Sequence, residues 1–275
     1  VPSPATPVPR GALPSAVPVV ARPDGRFQVG SAPRSAVVLR TPPVVAGPWG
    51  GPGRPAHPGA EEGRAWSVYD RSGPDPAERM ALRAQAGVAV VGSPRTADVL
   101  LQLLADAGVG RLLCDRPQAV PAGTRTAGRP GDPGAADVVV LLDEHSARPV
   151  LADGLVADGV AHLSVVLRDT DALVGPMVLP GRSACLRCVD RWRTDADPVW
   201  PAVRDALSRT APRPTDAATA ATVAGVAALQ VLSHLDGALP AALGCTLELL
   251  LPEGRVRRRG WGPHPGCGCV ELPVP

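Results

Sequence analysis

The spacing of apolar side chains changes character near residue 86. Before it, three short β-prone runs, Ala16 to Ala21, Arg26 to Val29 and Ala36 to Arg40, are separated by Pro23-Asp24-Gly25 and by Gly30 with Pro33. This predicts a small antiparallel meander over residues 1–40. Residues 41–85 follow as a linker dominated by Pro and Gly as far as residue 64, closing with a short helix from Pro76 to Gln85. From residue 86 onward, strand and helix alternate. Val88-Ala-Val-Val91 is an apolar run of the kind buried on both faces in a parallel sheet, ended by Gly92. Pro94 to Ala107 brings Val99, Leu100, Leu103, Leu104 and Ala107 to one helical face and stops at Gly108. Arg111 to Cys114 is a second apolar run, ending at Asp115. Asp137 to Leu142 is a third, ending at Asp143, followed by a helix over Ala147 to Ala157 and a strand over Ala161 to Leu167.

This alternation predicts an α/β fold over 86–275, a doubly wound Rossmann-like sheet. Further along, Ala172 to Leu179 reads as extended, Trp200 to Ser208 as helical, and Thr215 to Leu235 as a long helix capped by Thr215 or Asp216 and stopped at Gly237. Thr246 to Leu251 and Arg255 to Arg259 form a hairpin around Pro252-Glu253-Gly254. The long helix is apolar nearly all round, so it is expected inside the domain or against a second subunit.

Composition narrows the class. With 45% hydrophobic and 20% charged residues in 275, the chain is globular and long enough to bury a large core. A net charge of +2 is too small to point to nucleic acid, and all 28 basic side chains are arginine. The one basic run, Arg255-Val-Arg-Arg-Arg259, reads first as a strand edge protected by charge and second as a patch for an acidic peptide or protein. No segment reads as a membrane span; the nearest, Ala217 to Ser233, is rich in Ala, Thr and Val and is expected to be a buried helix. With no charged-then-apolar leader, a cytoplasmic location is expected.

The chemistry-bearing residues fall into two groups. Cys185-Leu-Arg-Cys188 and Cys267-Gly-Cys269 can give four thiolates to one tetrahedral zinc, a closed site with no position left for catalysis. Two disulfides, or unrelated buried thiols, are the alternatives; a reducing compartment favours the metal. Pro180-Gly181, Gly266 and Gly268 let the backbone turn the sulfurs inward, and His264 is a substitute ligand or a loop histidine. The second group is the strand ends. The order of strand, glycine turn, helix and strand with a terminal acid is a βαβ unit of the nucleotide-binding type, with Asp115 lying 23 positions beyond Gly92. Asp143 ends the next strand. Cys114 and Cys245 read as small apolar residues within strands. His145 invites an acid/base role that no residue spacing supports, and Trp192, Trp200 and Trp261 read as packing around the cysteines.

Together, Val88-Ala-Val-Val-Gly92, Asp115 and a late CxxC closed by a C-terminal Cys pair resemble the ThiF/MoeB superfamily of ubiquitin-activating-type adenylyltransferases. The stretch Val174 to Cys188 with Arg193-Thr-Asp-Ala-Asp-Pro-Val-Trp-Pro201 is similar to the ThiF-like cyclodehydratase subunits and leader-peptide-binding proteins of azole/azoline peptide biosynthesis, which work beside a YcaO enzyme. The resemblance spans about residues 86 to 270. It implies a zinc-bearing α/β domain, a homodimer, and an N-terminal module that captures a precursor leader peptide by strand addition. In the catalytic branch it also implies ATP and Mg²⁺, with Asp143 as the metal-side acid and Asp115 second.

The phosphate loop departs from that branch. It reads Gly92-Ser-Pro-Arg-Thr-Ala97, Asp115-Arg-Pro117 lacks a second acid, Pro121 to Arg129 has no match to the triphosphate segment, and there is no lysine. The expectation is therefore a catalytically silent scaffold, with no catalytic residue, that presents a precursor peptide to a YcaO-type enzyme in bacteriocin-like peptide biosynthesis. The alternatives are an active ATP-dependent adenylyltransferase and a vestigial structural domain.

Overall fold

The computed structural model describes residues 17–32, 36–44, 62, 65, 75–115, 136–212 and 214–271. Nearly all of the linker expected over 41–64, and the whole turn-rich stretch 117–134, lie outside them. The chain divides into two compact units, residues 1–80 and 81–275.

In the small unit β1 (Val19–Ala21), β2 (Phe27–Val29) and β3 (Val37–Leu39) form an antiparallel sheet in the order β1-β2-β3. Asp24 directs the first turn, its carboxylate accepting the Arg26 N–H at 3.2 Å. Each strand is only three residues long, and among the described residues β1 and β3 are edge strands with Val20, Val37 and Val38 exposed on them.

α1 (Pro76–Gln85) begins at Asp75, which accepts the N–H groups of Ala77 and Glu78 at 2.8 and 3.0 Å. The large unit then runs β4 (Gly87–Gly92), α2 (Pro94–Asp106), β5 (Arg111–Cys114), β6 (Val138–Glu144), α3 (Pro149–Ala157), β7 (Ala161–Leu167), β8 (Asp171–Val178), α4 (Leu186–Ala196), α5 (Trp200–Ser208), α6 (Ala217–Leu235), β9 (Cys245–Leu250) and β10 (Arg255–Gly260). Its seven strands pair in the order β10-β9-β8-β7-β6-β4-β5. The half from β5 to β7 is parallel; β7 through β10 are antiparallel.

The sheet is thus mixed rather than parallel throughout. The three late strands, legible as extended segments, extend the Rossmann half instead of standing apart. Within that half the β4–α2–β5 crossover runs one way and β6–α3–β7 the other, so right-handed connections put α2 and α3 on opposite faces. Ala152 of α3 and Leu186 of α4 pack with Ala89, Leu113, Val139 and Leu141. The alternate residues Val88, Val90, Val138 and Val140 are fully buried on the other face, where α6 packs on α2.

Two local readings change, and one is met. α2 buries Thr96, Ala97, Leu100, Leu101 and Leu104, while Leu103 is exposed: the buried stripe is turned one position from that expected, because α6 covers it from the side. α4 is a helix where no helix was expected. The helix α6, with Asp216 as its cap (Thr219 N–H to Oδ1, 2.9 Å), is 19 residues long with a mean hydropathy of 1.4, apolar enough by composition to span a membrane. In the fold it buries Ala220, Val223, Ala224, Ala227, Ala228, Val231 and Leu232 against the domain. Just past its end Asp236 takes the fully buried Arg83 guanidinium in two bonds of 2.8 and 2.7 Å, tying α1 to α6.

Candidate functional site

The C-terminal half of the sheet brings the four predicted cysteines together. Cys185 stands just before α4 in extended conformation and Cys188 lies in the first turn, so three residues of helix set both sulfurs on one side. The opposite knuckle is a turn from His264 to Cys267 (N–H to O, 2.9 Å), followed by Gly268 at φ 71°. That left-handed angle suits glycine and swings Cys269 back toward the helix. The sulfurs lie 3.8 Å apart for Cys185–Cys188, 3.6 Å for Cys185–Cys267 and 3.4 Å for Cys188–Cys269, and all four fall within 4.8 Å of one another. A disulfide needs about 2.05 Å. Thiolates around a tetrahedral ion bound at ~2.3 Å sit about 3.8 Å apart, so the donor set fits a metal ion. Val178 and Ala184 pack against the cluster, with Trp261 at its margin.

Burial pushes the Cys185 thiol up strongly and raises Cys269 to about 11. At Cys188 burial works in the same direction, but hydrogen bonds from the His264 backbone and the Cys269 thiol outweigh it and bring that thiol down. A bound cation would therefore displace protons from Cys185 and Cys269.

His264 lies beside the cluster without facing it. Its Nε2 sits 2.9 Å from Asp195, its Nδ1 accepts the Gly266 N–H at 3.0 Å, and its ring meets Trp192 edge-on at 4.7 Å. Trp192 donates to the Gly262 carbonyl at 2.9 Å, and Trp261 to Thr246 Oγ1 at 2.8 Å. These aromatic rings anchor the C-terminal loop.

The second group meets at the crevice where the crossover direction reverses, between the C-terminal ends of β4 and β6, the usual ligand position in such sheets. A cleft of about 260 Å³ lies there, lined by Gly92, Ser93, Pro94, Asp143, Ser146 and Thr210 among others. Gly92 has φ 115°, and a Cβ on it would stand 1.9 Å from the Leu142 carbonyl oxygen. The glycine is required by strand packing alone. Its N–H donates to Asp115 at 3.2 Å, the next N–H, of Ser93, donates to Leu142 O at 3.0 Å, and Pro94 has none.

Asp143 is buried, and one carboxylate takes both the Arg148 backbone N–H at 3.0 Å and its guanidinium Nε. Cys114 closes β5 and directs its thiol to Asp115 at 3.3 Å, while Cys245 donates to Ala241 O at 2.8 Å and accepts from Arg258 at 3.0 Å. His145, at φ 63°, turns its Nε2 to the Ala211 carbonyl at 3.1 Å. The basic run is β10 itself, an edge strand exposed along its whole length.

The residues that sequence reasoning missed are on α4 and α5. Arg193 lies over Trp200 at 4.8 Å and over Trp261 at 5.8 Å, and Asp190 accepts Trp200 Nε1 at 3.0 Å and Arg204 at 2.9 Å. The three-and-four spacing of Leu186, Val189 and Arg193 was the available signal.

Fold and sites together define an α/β domain of the nucleotide-binding type whose tail is gathered at a cysteine cluster. No protein-family model matches the sequence, and no curated protein matches it. Among solved structures the fold is shared with E. coli MccB in complex with MccA-N7isoASN (TM-score 0.67, 12% identity, 95% of this chain and 99% of that one). MccB with AMPCPP and MccA gives 0.68 at 12%, over 95% and 99%. PaaA gives 0.62 at 14% identity, over 89% of this chain and 98% of that one. The α/β fold expected from the strand motifs is thus the one found, and it is shared with MccB and PaaA.

Proposed function

We propose that this chain is a catalytically silent ThiF-like scaffold that binds a ribosomal precursor peptide through its leader and presents it to a YcaO-type cyclodehydratase in azole/azoline peptide biosynthesis. The observation that carries the silent reading is the state of the strand-end crevice. Asp143 is neutralised by Arg148, the Gly92 N–H is taken by Asp115, and Pro94 removes a donor where a triphosphate would need one. A cleft of about 260 Å³ also falls below the usual range of ~300–1,000 Å³ for ligand pockets. Peptide binding is supported by fold likeness to MccB, whose structures hold MccA.

In this reading residues 1–40 are the recognition module, 41–85 the linker and 86–275 the scaffold. The peptide adds as a strand to a free edge of the small sheet, whose exposed valines would meet its side chains. Cys185, Cys188, Cys267 and Cys269 hold a structural zinc, which pins the C-terminal loop to α4 and supplies no chemistry. Self-association through the exposed side of α6, around Leu229, belongs to the same reading, as does a cytoplasmic, reducing location.

The second reading, an active adenylyltransferase using Gly92, Asp115 and Asp143, is favoured by one finding: MccB of the same fold has been solved with ATP. Calorimetry with ATP and Mg²⁺ followed by pyrophosphate exchange separates the two. Silence in exchange, with saturable binding of a fluorescent leader peptide, is expected; exchange above background sinks the scaffold reading.

A further inference from the structure

Beneath α4 and α5 lies a second, deeper cavity of about 90 Å³ that neither site above uses. Its floor is a break in the sheet. Between the pairs Leu163–Met177 and Val165–Val174 one residue of β7, Ser164, opposes two of β8, Gly175 and Pro176, a bulge of the kind that re-aims a side chain. All three line the cavity. Ser164 is 1% exposed, yet its hydroxyl has no hydrogen-bond partner among the described residues. An unmatched buried hydroxyl is costly, which calls for a partner in the space beside it.

The roof carries the complementary oddity. Arg193 is half-buried between Trp200 and Trp261 and has no carboxylate partner among the described residues. The other charges at the cavity are matched: Arg168 is held by Asp171 through two bonds, and Asp190 by Trp200 and Arg204. His145 is engaged by the Ala211 carbonyl. One guanidinium is left without an ion-paired or hydrogen-bonded acid among the described residues, in a space large enough for several waters or one small anion. Burial, with the Arg168 and Arg259 charges, pushes its pKa below the ordinary arginine value even against the more distant Asp190 and Glu248 carboxylates, the penalty an incoming anion would relieve.

We propose that this cavity is a carboxylate-binding site, in which the planar Arg193 fork takes both oxygens of a monovalent carboxylate and the Ser164 hydroxyl donates from the sheet below. A single unmatched positive charge suits a monoanion better than a doubly charged phosphate, and a guanidinium matches two carboxylate oxygens side by side. The carboxylate can come from a small free acid or from a peptide. The site does not depend on the scaffold reading, since free acid alone tests it.

The test is a tryptophan-fluorescence titration of the full chain with sodium acetate, chloride being exchanged out to hold ionic strength. Trp200 reports directly because it lies against Arg193. Acetate should give a saturable change at millimolar concentration. That response should weaken at least tenfold in Arg193→Met and about threefold in Ser164→Ala, which leaves the tryptophan stack untouched if Arg193→Met does not fold. Acetamide should do nothing. No saturable response to acetate, or an equal response in both variants, overturns the proposal and leaves capture at the N-terminal sheet intact. Acetyl-tetraalanine and its C-terminal amide decide the source. Binding of the acid tenfold tighter than acetate, with none by the amide, assigns a peptide terminus; equal binding of acid and acetate assigns a small free acid.

Discussion

The cysteine cluster and the strand-end crevice lie in one domain and were read from the same kind of motif, yet they differ in what their polar groups face. At the cysteine end four side chains remote in sequence turn toward one point, all within 4.8 Å of one another, and the short contacts of 3.4 to 3.8 Å are made among themselves. At the crevice every predicted group is turned away from a ligand and satisfied within the protein: Asp143 by Arg148, Gly92 by Asp115. A site can keep its position in the fold while neighbouring side chains take over hydrogen bonds that a ligand could make. A convergent set of unpaired donors is poised to bind; a fully paired one must first be broken.

The largest expected effect is at the cysteine end. Removing metal from the purified chain, or replacing Cys188 or Cys269 by Ser, should lower stability by at least about 5 kcal/mol, a fall in Tm of roughly 10–20 °C. Calorimetric melts with and without a chelator, alongside metal analysis by mass spectrometry, measure it. An unchanged Tm on chelation, with no metal in the protein as purified, would put the two regions on the same footing and remove the contrast.

Next comes the framework on the crevice side. Asp236→Ala removes the acid paired with the fully buried Arg83 guanidinium and should cost about 3–5 kcal/mol in urea melts. Because α6 packs on α2, whose first residue, Pro94, lines the crevice, amide exchange should quicken there while metal content stays unchanged. Equal loosening around α4 would mean that the two regions are one cooperative unit.

The third effect is one of pH. His162 on β7 is fully buried, its Nδ1 3.0 Å from the Val160 carbonyl and its Nε2 without a partner among the described residues; burial lowers its pKa to about 4. The folded state therefore resists protonation that the unfolded chain accepts near 6.5. This contribution is complete above 6.5 and is lost as pH falls toward 4. Between pH 7 and 5 the wild type should lose about 2 kcal/mol more than His162→Leu, read as the difference between urea midpoints at the two values. The burden lies in the sheet that both regions share.

How much of this was legible follows from where each signal resides. β4, β5, β6 and β7 were visible because strands buried on both faces must be apolar throughout, and the turns between them carry Gly or Pro. The cysteines were visible because two close doublets concentrate a rare residue. α4 was missed because its only regular apolar positions, Leu186 and Val189, are outnumbered by Arg187, Asp190, Arg191, Arg193 and Asp195, and because a Cys-x-x-Cys pair reads equally well as a loop. The joining of β8, β9 and β10 to the parallel half was hidden, since a strand's own sequence does not say which edge it will meet. The pairing of Arg83 with Asp236 spans 153 positions and leaves no local trace. Asp143 was rightly placed at a strand end, but its neutralisation depends on the Glu144-to-Arg148 turn folding back, which no periodicity reports.

The smallest effect is the most direct probe of the crevice. Asp115 is exposed and its single bond to the Gly92 N–H is 3.2 Å long, so Asp115→Ala should cost no more than about 1 kcal/mol and leave metal content and leader-peptide affinity as they were. A retained nucleotide site would behave otherwise, since an acid at this offset from the glycine turn is placed to meet a ribose hydroxyl, and its loss would weaken ATP binding more than stability. Calorimetric titration of wild type and variant with ATP and Mg²⁺ tells the two apart. A heat of binding that disappears with Asp115 would show the carboxylate serving a nucleotide; melts that shift slightly, with no nucleotide heat in either protein, fit a carboxylate that only secures the end of β4.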